Sequence, residues 1–293
     1  MPKFSIIIPT YNRADFLLAS INSALQQDYT DFEVIAIDDA STDNTEELVK
    51  SIKSDKLTYI KKSVNAERAA ARNTGTKAAT GEYVYFHDSD DILYPNHLKE
   101  AHKLIQANPD VVFFGLGYEI KNDKKVINLI NKYSGDLNKG LIKGNFLSCK
   151  VFLKHEVALN FLFNEERALS GSEDYELWLR LAARFKLHHS NTITSALILH
   201  EGRSVQNEDP QKLIKRISIL ETNTENDAVI FAIYKKYFSD FKSDNLSYIS
   251  LHLAMSGYKK LSLKYLIRSF IKSPFRIIAT KRFYAIIKKI IHF

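Results

Sequence analysis

Residues 83–95 of the chain read YVYFHDSDDILYP, and this stretch decides the fold. Its first four residues form an apolar and aromatic run that predicts a buried strand of an α/β sheet. Three carboxylates follow, Asp88, Asp90 and Asp91, at the strand end where open parallel sheets hold their ligands. Carboxylates this close repel one another unless a divalent cation lies between them or water solvates them. Two interpretations therefore stay open: a hard metal ion that holds phosphate oxygens, or an acidic N-cap, Asp90 or Asp91, for a helix over residues 95–107.

Strand and helix signals alternate along the first part of the chain. Apolar runs that predict strands lie at residues 4–8, 32–37, 57–60 and 83–86. Apolar spacing or turn chemistry predicts helices over residues 15–27, after the turn 41–44 and over residues 66–79. This order indicates an α/β protein with a doubly wound, mostly parallel sheet. Because neither G-x-G-x-x-G nor G-x-x-x-x-G-K-[ST] occurs, the usual dinucleotide-binding and P-loop folds are disfavoured.

The pattern after residue 109 is less regular. Its predicted elements are strands at residues 111–114 and 126–130, a loop over 138–148, a helix over 173–181, one or two strands within 187–199, and one long amphipathic helix or two over 212–238.

Composition and length indicate a globular protein, since 45% of the 293 residues are hydrophobic and 26% are charged. Cys149 is the single cysteine, so an intramolecular disulfide is excluded, which fits a reducing compartment. We see no secretory signal and no apolar run of about 18 residues, the length that crosses a bilayer. We therefore expect a cytoplasmic location.

The net charge of +7 is unevenly distributed. After Asp244 the sequence has ten Lys and Arg residues and no Asp or Glu, whereas residues 1–244 carry 31 basic and 34 acidic side chains. Basic residues recur every four positions from Lys260 to Arg276, with apolar residues on another side, which predicts a basic amphipathic helix. Pro274 interrupts it, and residues 275–293 repeat the mixture.

This tail predicts peripheral association with anionic lipid at the inner face of the cytoplasmic membrane, near a lipid-linked acceptor. The alternatives are that the tail helices pack on the body of the protein or form a homodimer. Binding of nucleic acid is disfavoured because the sequence has no recognition module.

Four candidate site features stand at the ends of predicted elements. The turn PTYNR at residues 9–13 offers Tyr11 for stacking on a base, or is simply a turn with a surface tyrosine. Asp38 and Asp39 follow the second strand, and one of them accepts hydrogen bonds from a base or ribose, or caps a helix. Arg72 reaches a phosphate or lies on a solvated helix face.

The fourth feature is the pair Glu173 and Asp174 at the start of an apolar helix. An acid there serves as a general base, or is present because acids stabilise the positive end of a helix dipole.

Taken in order, several segments resemble the inverting glycosyltransferases of family 2, which have the GT-A fold. They are FSIIIPTYNRADFLLASINSALQQ, FEVIAIDDASTDNT, NAERAAARNTGTKAATGEYVYFHDSDD, SGSEDYELWLRLA and LHEGRSV, and together they extend over residues 3–206. The resemblance implies a GT-A domain over residues 1–206, with a nucleotide-binding half at 1–110 and an acceptor half at 111–206. A helical C-terminal extension at residues 207–293 follows.

The resemblance also implies roles for individual residues. It assigns nucleotide and donor contacts to Pro9, Thr10, Tyr11, Arg13, Asp39, Arg72, Asp88 and Ser89. In that assignment the Tyr11 ring lies against the base, Asp39 hydrogen-bonds the base, and Asp88 in the D-x-D motif faces the ribose or donor sugar. Asp90 binds Mn²⁺ or Mg²⁺.

Further implied roles concern the catalytic side. Asp174 matches the catalytic base, and His200 resembles a histidine that contacts metal or pyrophosphate in some members, although Ile198 replaces the usual arginine two residues earlier. Glu173 orients its loop or contacts the acceptor. Trp178 is a weak candidate for an acceptor platform, and its apolar surroundings favour core packing.

The sequence therefore predicts a metal-dependent transferase that moves a sugar from a nucleotide donor, with UDP expected, to a hydroxyl of a glycan or lipid-linked acceptor. Inversion and a role in bacterial surface polysaccharide biosynthesis follow from the resemblance. The alternative is a non-catalytic scaffold that binds nucleotide sugars, which the intact Asp90 and Asp174 disfavour. A nucleotidyltransferase lacks support because residues 9–13 are not a glycine-rich loop, and a processive membrane synthase because no spanning segment is evident.

Overall fold

The computed structural model describes residues 2–122, 125–133, 135–200 and 209–291. The strands, numbered in chain order, are β1 Phe4–Thr10, β2 Phe32–Asp38, β3 Leu57–Lys61, β4 Tyr83–Phe86, β5 Ile92–Leu93, β6 Phe113–Asn122, β7 Lys125–Ile130, β8 Val151–Lys154 and β9 Leu187–Leu199. The helices are α1 Ala14–Leu25, α2 Thr45–Ser51, α3 Glu67–Ala78, α4 His97–Ala107, α5 Leu137–Leu141, α6 His155–Asn160, α7 Glu173–Ala182, α8 Pro210–Asn226, α9 Ala228–Tyr234, α10 Phe238–Met255, α11 Lys259–Lys272, α12 Pro274–Ile278 and α13 Lys281–Ile291. Short 3₁₀ turns lie at Arg167–Leu169 and Lys235–Tyr237.

All strands belong to one nine-stranded sheet in the order β3-β2-β1-β4-β8-β6-β9-β5, with β7 paired to β6. Strands β1 to β4 are mutually parallel where they pair, and β6 is parallel to β9. The strands β5, β7 and β8 run antiparallel to their neighbours. Six of these nine strands share one direction, so the predicted mostly parallel α/β sheet is confirmed. The strand order reverses between β1 and β4, which places a ligand crevice at their carboxyl ends.

Both faces of the sheet are buried, because successive side chains of the central strands point to opposite faces and are apolar on both. Ile7 and Phe86 point into one apolar cluster, whereas Ile6 and Tyr85 point into the other. Helix α3 packs closely against the face that carries Ile7 and Phe86, since a Cβ at Gly75 would come within 2.3 Å of the Ile7 side chain. Gly75 lies in the C-terminal half of α3, so this close packing holds that half of the helix against β1.

The structure differs from the sequence expectations in three places. The strand β8 was not anticipated, since four residues are too few for a clear pattern, yet it lies in the middle of the sheet between β4 and β6. The acidic N-cap is wrong: the N-cap residue of α4 is Asn96, whose side chain forms no capping hydrogen bond, and the Leu98 N–H in the first turn instead donates to Gln27 Oε1 at 3.1 Å. Residues 138–148, expected to be a loop, include part of the short helix α5.

The C-terminal helices α8 to α11 pack on the body of the protein, because their buried apolar residues belong to the same cluster as Ile7 and Trp178. The helices α10 and α11 pack against each other and are joined by serine hydrogen bonds between Ser243 and Ser269 and between Ser250 and Ser262. The tail helices α12 and α13 pack on them through an apolar cluster around Ile277. None of the helices in the described ranges combines the length and apolarity needed to cross a bilayer. The domain boundary predicted at residue 206 lies outside the described residues, as does most of the LHEGRSV segment.

Candidate active site

A cavity of about 310 Å³ opens at the carboxyl ends of β1, β2 and β4. All eight residues predicted to contact nucleotide or donor line it, together with Asp90. Sequence analysis did not assign a role to four further lining residues, which are Asn65, Glu67, Arg68 and Ala71. The structure thus brings the predicted set together in one place, and their individual roles stay predictions.

The turns around this cavity have a backbone conformation that side chains other than glycine rarely adopt. Asn12, Ala40 and Glu67 have φ values of 49°, 67° and 71°, in the left-handed region. Backbone strain of this kind is typical of ligand sites. The first two turns support each other, because Asn12 accepts a hydrogen bond from the Thr42 backbone at 2.8 Å and donates its own N–H to Ser41. At the rim, Tyr11 keeps 45% of its surface exposed, which leaves its ring available for stacking.

Of the two aspartates after β2, only Asp39 lines the cavity. Its carboxylate accepts hydrogen bonds from the backbone N–H of Ala66 at 3.1 Å and from Lys62 at 2.6 Å. Asp38 is fully buried, and its carboxylate accepts hydrogen bonds from Tyr59 and the Ser41 backbone. Asp39 therefore faces the cavity, whereas Asp38 stabilises the turn after β2.

The three carboxylates after β4 lie together, with one ligand oxygen of each within 4.8 Å of the others. Asp91 is nevertheless not available to a ligand. Its Oδ2 lies 2.5 Å from the Lys150 ammonium, its Oδ1 accepts the Ile198 N–H at 3.1 Å, and both charged side chains are buried. A lysine that sequence analysis had not singled out therefore compensates the third negative charge.

Asp90 lines the cavity and contacts the other predicted metal ligand, His200. The Asp90 Oδ2 lies 2.9 Å from Nε2 of His200 and 3.9 Å from the Arg13 guanidinium. The His200 ring stacks on Phe16, and its buried Nδ1 has no hydrogen-bond partner among the described residues. A carboxylate and an imidazole that converge beside Asp88 suit a divalent cation such as Mn²⁺, so the residues fit the implied metal.

Arg72 connects this cavity to the start of α7. The guanidinium is buried, with Nη2 2.9 Å from Asp88 and Nη1 2.7 Å from Glu173. Glu173 is itself buried and accepts the Gly171 N–H, so it cannot contact an acceptor, and its contacts agree with the other interpretation, that it orients the loop. Burial alone would raise the pKa of Glu173, but Arg72 holds that pKa below its usual value.

Asp174 does not line the nucleotide cavity but a second one of about 570 Å³. The half-buried carboxylate accepts hydrogen bonds from Asn145 at 3.0 Å and from the Tyr175 N–H at 2.7 Å. Burial and, next, the negative charge of Glu173 raise the pKa of Asp174 to about 6. A carboxylate with a raised pKa is suited to accept a proton near neutral pH. The two cavities are linked by the contacts from Asp88 through Arg72 to Glu173.

The second cavity lies between the acceptor half and the C-terminal helices. Its C-terminal wall is formed by side chains of α10 and α13 that sequence analysis did not connect with the site, namely Phe241, Asp244, Asn245, Tyr248 and Arg282. No local pattern marks these residues, because their role depends on how the helices pack on the body.

The acceptor-platform hypothesis for Trp178 is wrong. The side chain is fully buried, packs against Phe86, Phe113 and Phe163, and donates its N–H to the Ser148 carbonyl at 2.7 Å. The apolar residues around it in α7 place it in the core, as the alternative interpretation expected.

Comparison with known sequences gives consistent matches. A family model described as "Glycosyl transferase family 2" matches residues 5–165. The uncharacterized glycosyltransferase RC0461 of Rickettsia conorii is 31% identical over 299 residues, which cover 99% of this chain but 47% of the relative. The chain thus spans less than half the length of this relative. WfaP of Escherichia coli, a UDP-Glc:alpha-D-GlcNAc-diphosphoundecaprenol beta-1,3-glucosyltransferase, is 30% identical over 76% of this chain and 87% of its own length.

Solved structures of low sequence identity share the fold. TarS of S. aureus in complex with UDP-GlcNAc has a TM-score of 0.67 at 19% identity and covers 94% of this chain and 91% of its own. The mannosyltransferase PcManGT of Pyrobaculum calidifontis, in complex with GDP-Man and Mn²⁺, has a TM-score of 0.61 at 19% identity, with 99% and 87% covered.

Proposed function

Because the chain belongs to glycosyltransferase family 2 and has the predicted GT-A fold, we propose that it transfers a sugar from a UDP-linked donor, with inversion, to a hydroxyl of a glycan or lipid-linked acceptor. The observation that carries the proposal is the buried Arg72, which contacts Asp88 in the nucleotide cavity and Glu173 beside Asp174. Arg72 therefore connects the nucleotide cavity to the residue next to the proposed general base, Asp174. The UDP-glucose and diphospholipid substrates in the name of WfaP support the same choice of donor and acceptor.

The nucleotide cavity offers the contacts that a nucleoside diphosphate needs. The exposed Tyr11 ring supplies a face for the base, and Asp39 an acceptor for its N–H groups. Arg13 and Arg68 line the same cavity and supply positive charge for the diphosphate. Asp90 and His200 would hold Mn²⁺ or Mg²⁺. Such an ion, when bound, neutralises the charge that develops on the leaving diphosphate.

Asp174 acts on the acceptor. Its hydrogen bonds to Asn145 and to the Tyr175 backbone fix the carboxylate, and its raised pKa makes it basic enough to take a proton. In one displacement, the acceptor oxygen forms a bond to the anomeric carbon while the bond to the diphosphate breaks. The hydroxyl proton moves to Asp174, and the nucleoside diphosphate leaves on the opposite face, so the anomeric configuration inverts.

The setting we propose is the inner face of the cytoplasmic membrane, in surface polysaccharide biosynthesis. The helices α11 to α13 pack on one another and on α10, yet they keep large apolar side chains exposed beside their lysines. Phe275 is 90% exposed and Ile271 is 72% exposed. An apolar and basic surface of this kind suits an anionic bilayer.

Donor turnover tests the proposed function directly. The purified chain is assayed for nucleoside diphosphate release from a panel of UDP- and GDP-sugars, with Mn²⁺ and with chelator. We expect release from a UDP-sugar that depends on the metal. A chain that binds UDP-sugars but turns over none of the panel supports the scaffold alternative instead.

A further inference from the structure

The second cavity is lined by a cation, Arg282, that pairs with no carboxylate in the described part of the chain. Arg282 lines this cavity from α13, and its Nη1 donates to the Asp244 carbonyl at 2.8 Å and to the Ser247 hydroxyl at 2.9 Å. Both of these acceptors are neutral. The Asp244 carboxylate is instead bound by Arg276, at 2.8 and 3.1 Å. Among the described residues, no carboxylate forms an ion pair with Arg282, so its positive charge at the cavity wall is compensated only by the nearby Asp244 carboxylate, which pairs with Arg276.

Two further observations, the burial of Arg282 and a nearby lysine, support a positively charged cavity wall. Burial lowers the pKa of Arg282, even though Asp244 lies nearby and acts in the opposite direction. Lys143 lines the same cavity, is exposed, and forms no ion pair with any described residue. A buried or half-buried guanidinium is stabilised by a partner with two oxygens in a plane, such as a phosphate.

We propose that this cavity binds the anionic part of the acceptor, a diphosphate attached to the acceptor saccharide, against Arg282 and Lys143. The saccharide lies in the same cavity, with its reacting hydroxyl at Asp174 and an aromatic wall from Tyr248. The inference rests on the proposed function and deepens it, since it assigns part of the acceptor site to the C-terminal helices. It also gives a reason for those helices to form one wall of a cavity that contains the base.

The test measures binding rather than turnover, so that it stands apart from the test of the proposed function. The protein is first saturated with UDP and Mn²⁺ to fill the nucleotide cavity, and methyl diphosphate is then titrated in by calorimetry. We expect one binding site. Arg282→Gln should weaken it about tenfold or more, because a charge-assisted bond is lost, and Lys143→Gln by a smaller factor. Lys264→Gln, an exposed lysine of α11, is the matched control and should leave the affinity unchanged.

Several outcomes would overturn the inference. One is the absence of methyl diphosphate binding in the unmodified chain. Another is unchanged affinity in both Arg282→Gln and Lys143→Gln. A UDP stoichiometry of two would mean that the cavity takes a second nucleotide rather than a saccharide diphosphate. If Arg282→Gln fails to fold, the exposed Lys143→Gln decides alone. Loss of transfer in Asp174→Asn with no effect of these variants would leave the proposed function intact and reject the acceptor site.

Discussion

The Lys150 ammonium lies 2.5 Å from the Asp91 carboxylate, and both side chains are buried. Asp91 belongs to the loop after β4 that also contains Asp88 and Asp90. Because of this ion pair, the three neighbouring carboxylates have different positions. Asp91 is neutralised inside the protein, and Asp88 and Asp90 face the cavity. Breaking a buried pair by removing one partner leaves an uncompensated charge. The loop that positions the predicted metal ligand Asp90 therefore depends on a lysine from the segment before β8.

Lys150→Met should lower the free energy of unfolding by about 3–5 kcal/mol, because the Asp91 charge stays buried without a partner. Denaturant unfolding measures this change. The double variant Lys150→Met with Asp91→Leu should recover most of the loss, because it removes both charges at once. Equal stability of Lys150→Met and the unmodified chain would contradict the importance of the pair.

Asp90→Ala should reduce metal-dependent donor turnover by about 100-fold or more, since loss of a metal ligand costs more than loss of the groups around it. Nucleoside diphosphate release with and without Mn²⁺ measures the effect. Asp55→Ala, at an exposed aspartate, is the matched control. Unchanged turnover in Asp90→Ala would remove the metal assignment.

Asp174→Asn should lower the transfer rate by about 10²- to 10⁴-fold, the usual contribution of a general base. UDP affinity should stay the same, because Asp174 lies in the second cavity and not in the nucleotide cavity. Comparison of kcat with the Kd for UDP separates the two effects. A parallel loss of both would mean that the residue supports the donor site and not the base step.

The transfer rate should fall in acid. The pKa of Asp174 is raised to about 6, so the carboxylate is the basic form above that pH and becomes protonated below it. We expect kcat/KM to fall about tenfold per pH unit once the pH is well below 6. A rate profile between about pH 4.5 and 8 measures the midpoint. A profile that stays flat down to pH 5 would exclude Asp174 as the base.

Replacing the exposed apolar side chains of the tail should release the protein from anionic vesicles. The double variant Ile271→Asp with Phe275→Asp removes apolar contact and adds negative charge, so we expect co-sedimentation with phosphatidylglycerol vesicles to fall at least about tenfold. Val64→Asp changes a side chain that is 69% exposed in the nucleotide half and is the control. Equal binding of the unmodified chain to neutral and anionic vesicles would argue against the proposed surface.

Local patterns were sufficient for much of the fold and the nucleotide cavity. The strand at Tyr83–Phe86 has the bounds expected from its apolar run, and the turns after β1 and β2 place Tyr11 and Asp39 in one cavity. Patterns were insufficient where a short segment gains its role from its neighbours. The strand β8 has four residues and obtains its position from pairing with β4 and β6. Likewise, Trp178 and Glu173 carry groups suited to ligand contact, and only their burial shows that they make none.

The sequence by itself determined the alternation of strands and helices and the cluster of carboxylates after β4, because apolar periodicity and turn chemistry act between near neighbours in the chain. The tertiary structure alone decided which positive or neutral partner each carboxylate meets: Arg72 for Asp88, His200 for Asp90 and Lys150 for Asp91. It also decided that α10 and α13 form a wall of the cavity that contains Asp174. The contacts of the three carboxylates join side chains 16, 110 and 59 residues apart, and charges at these separations meet only when the sheet has formed.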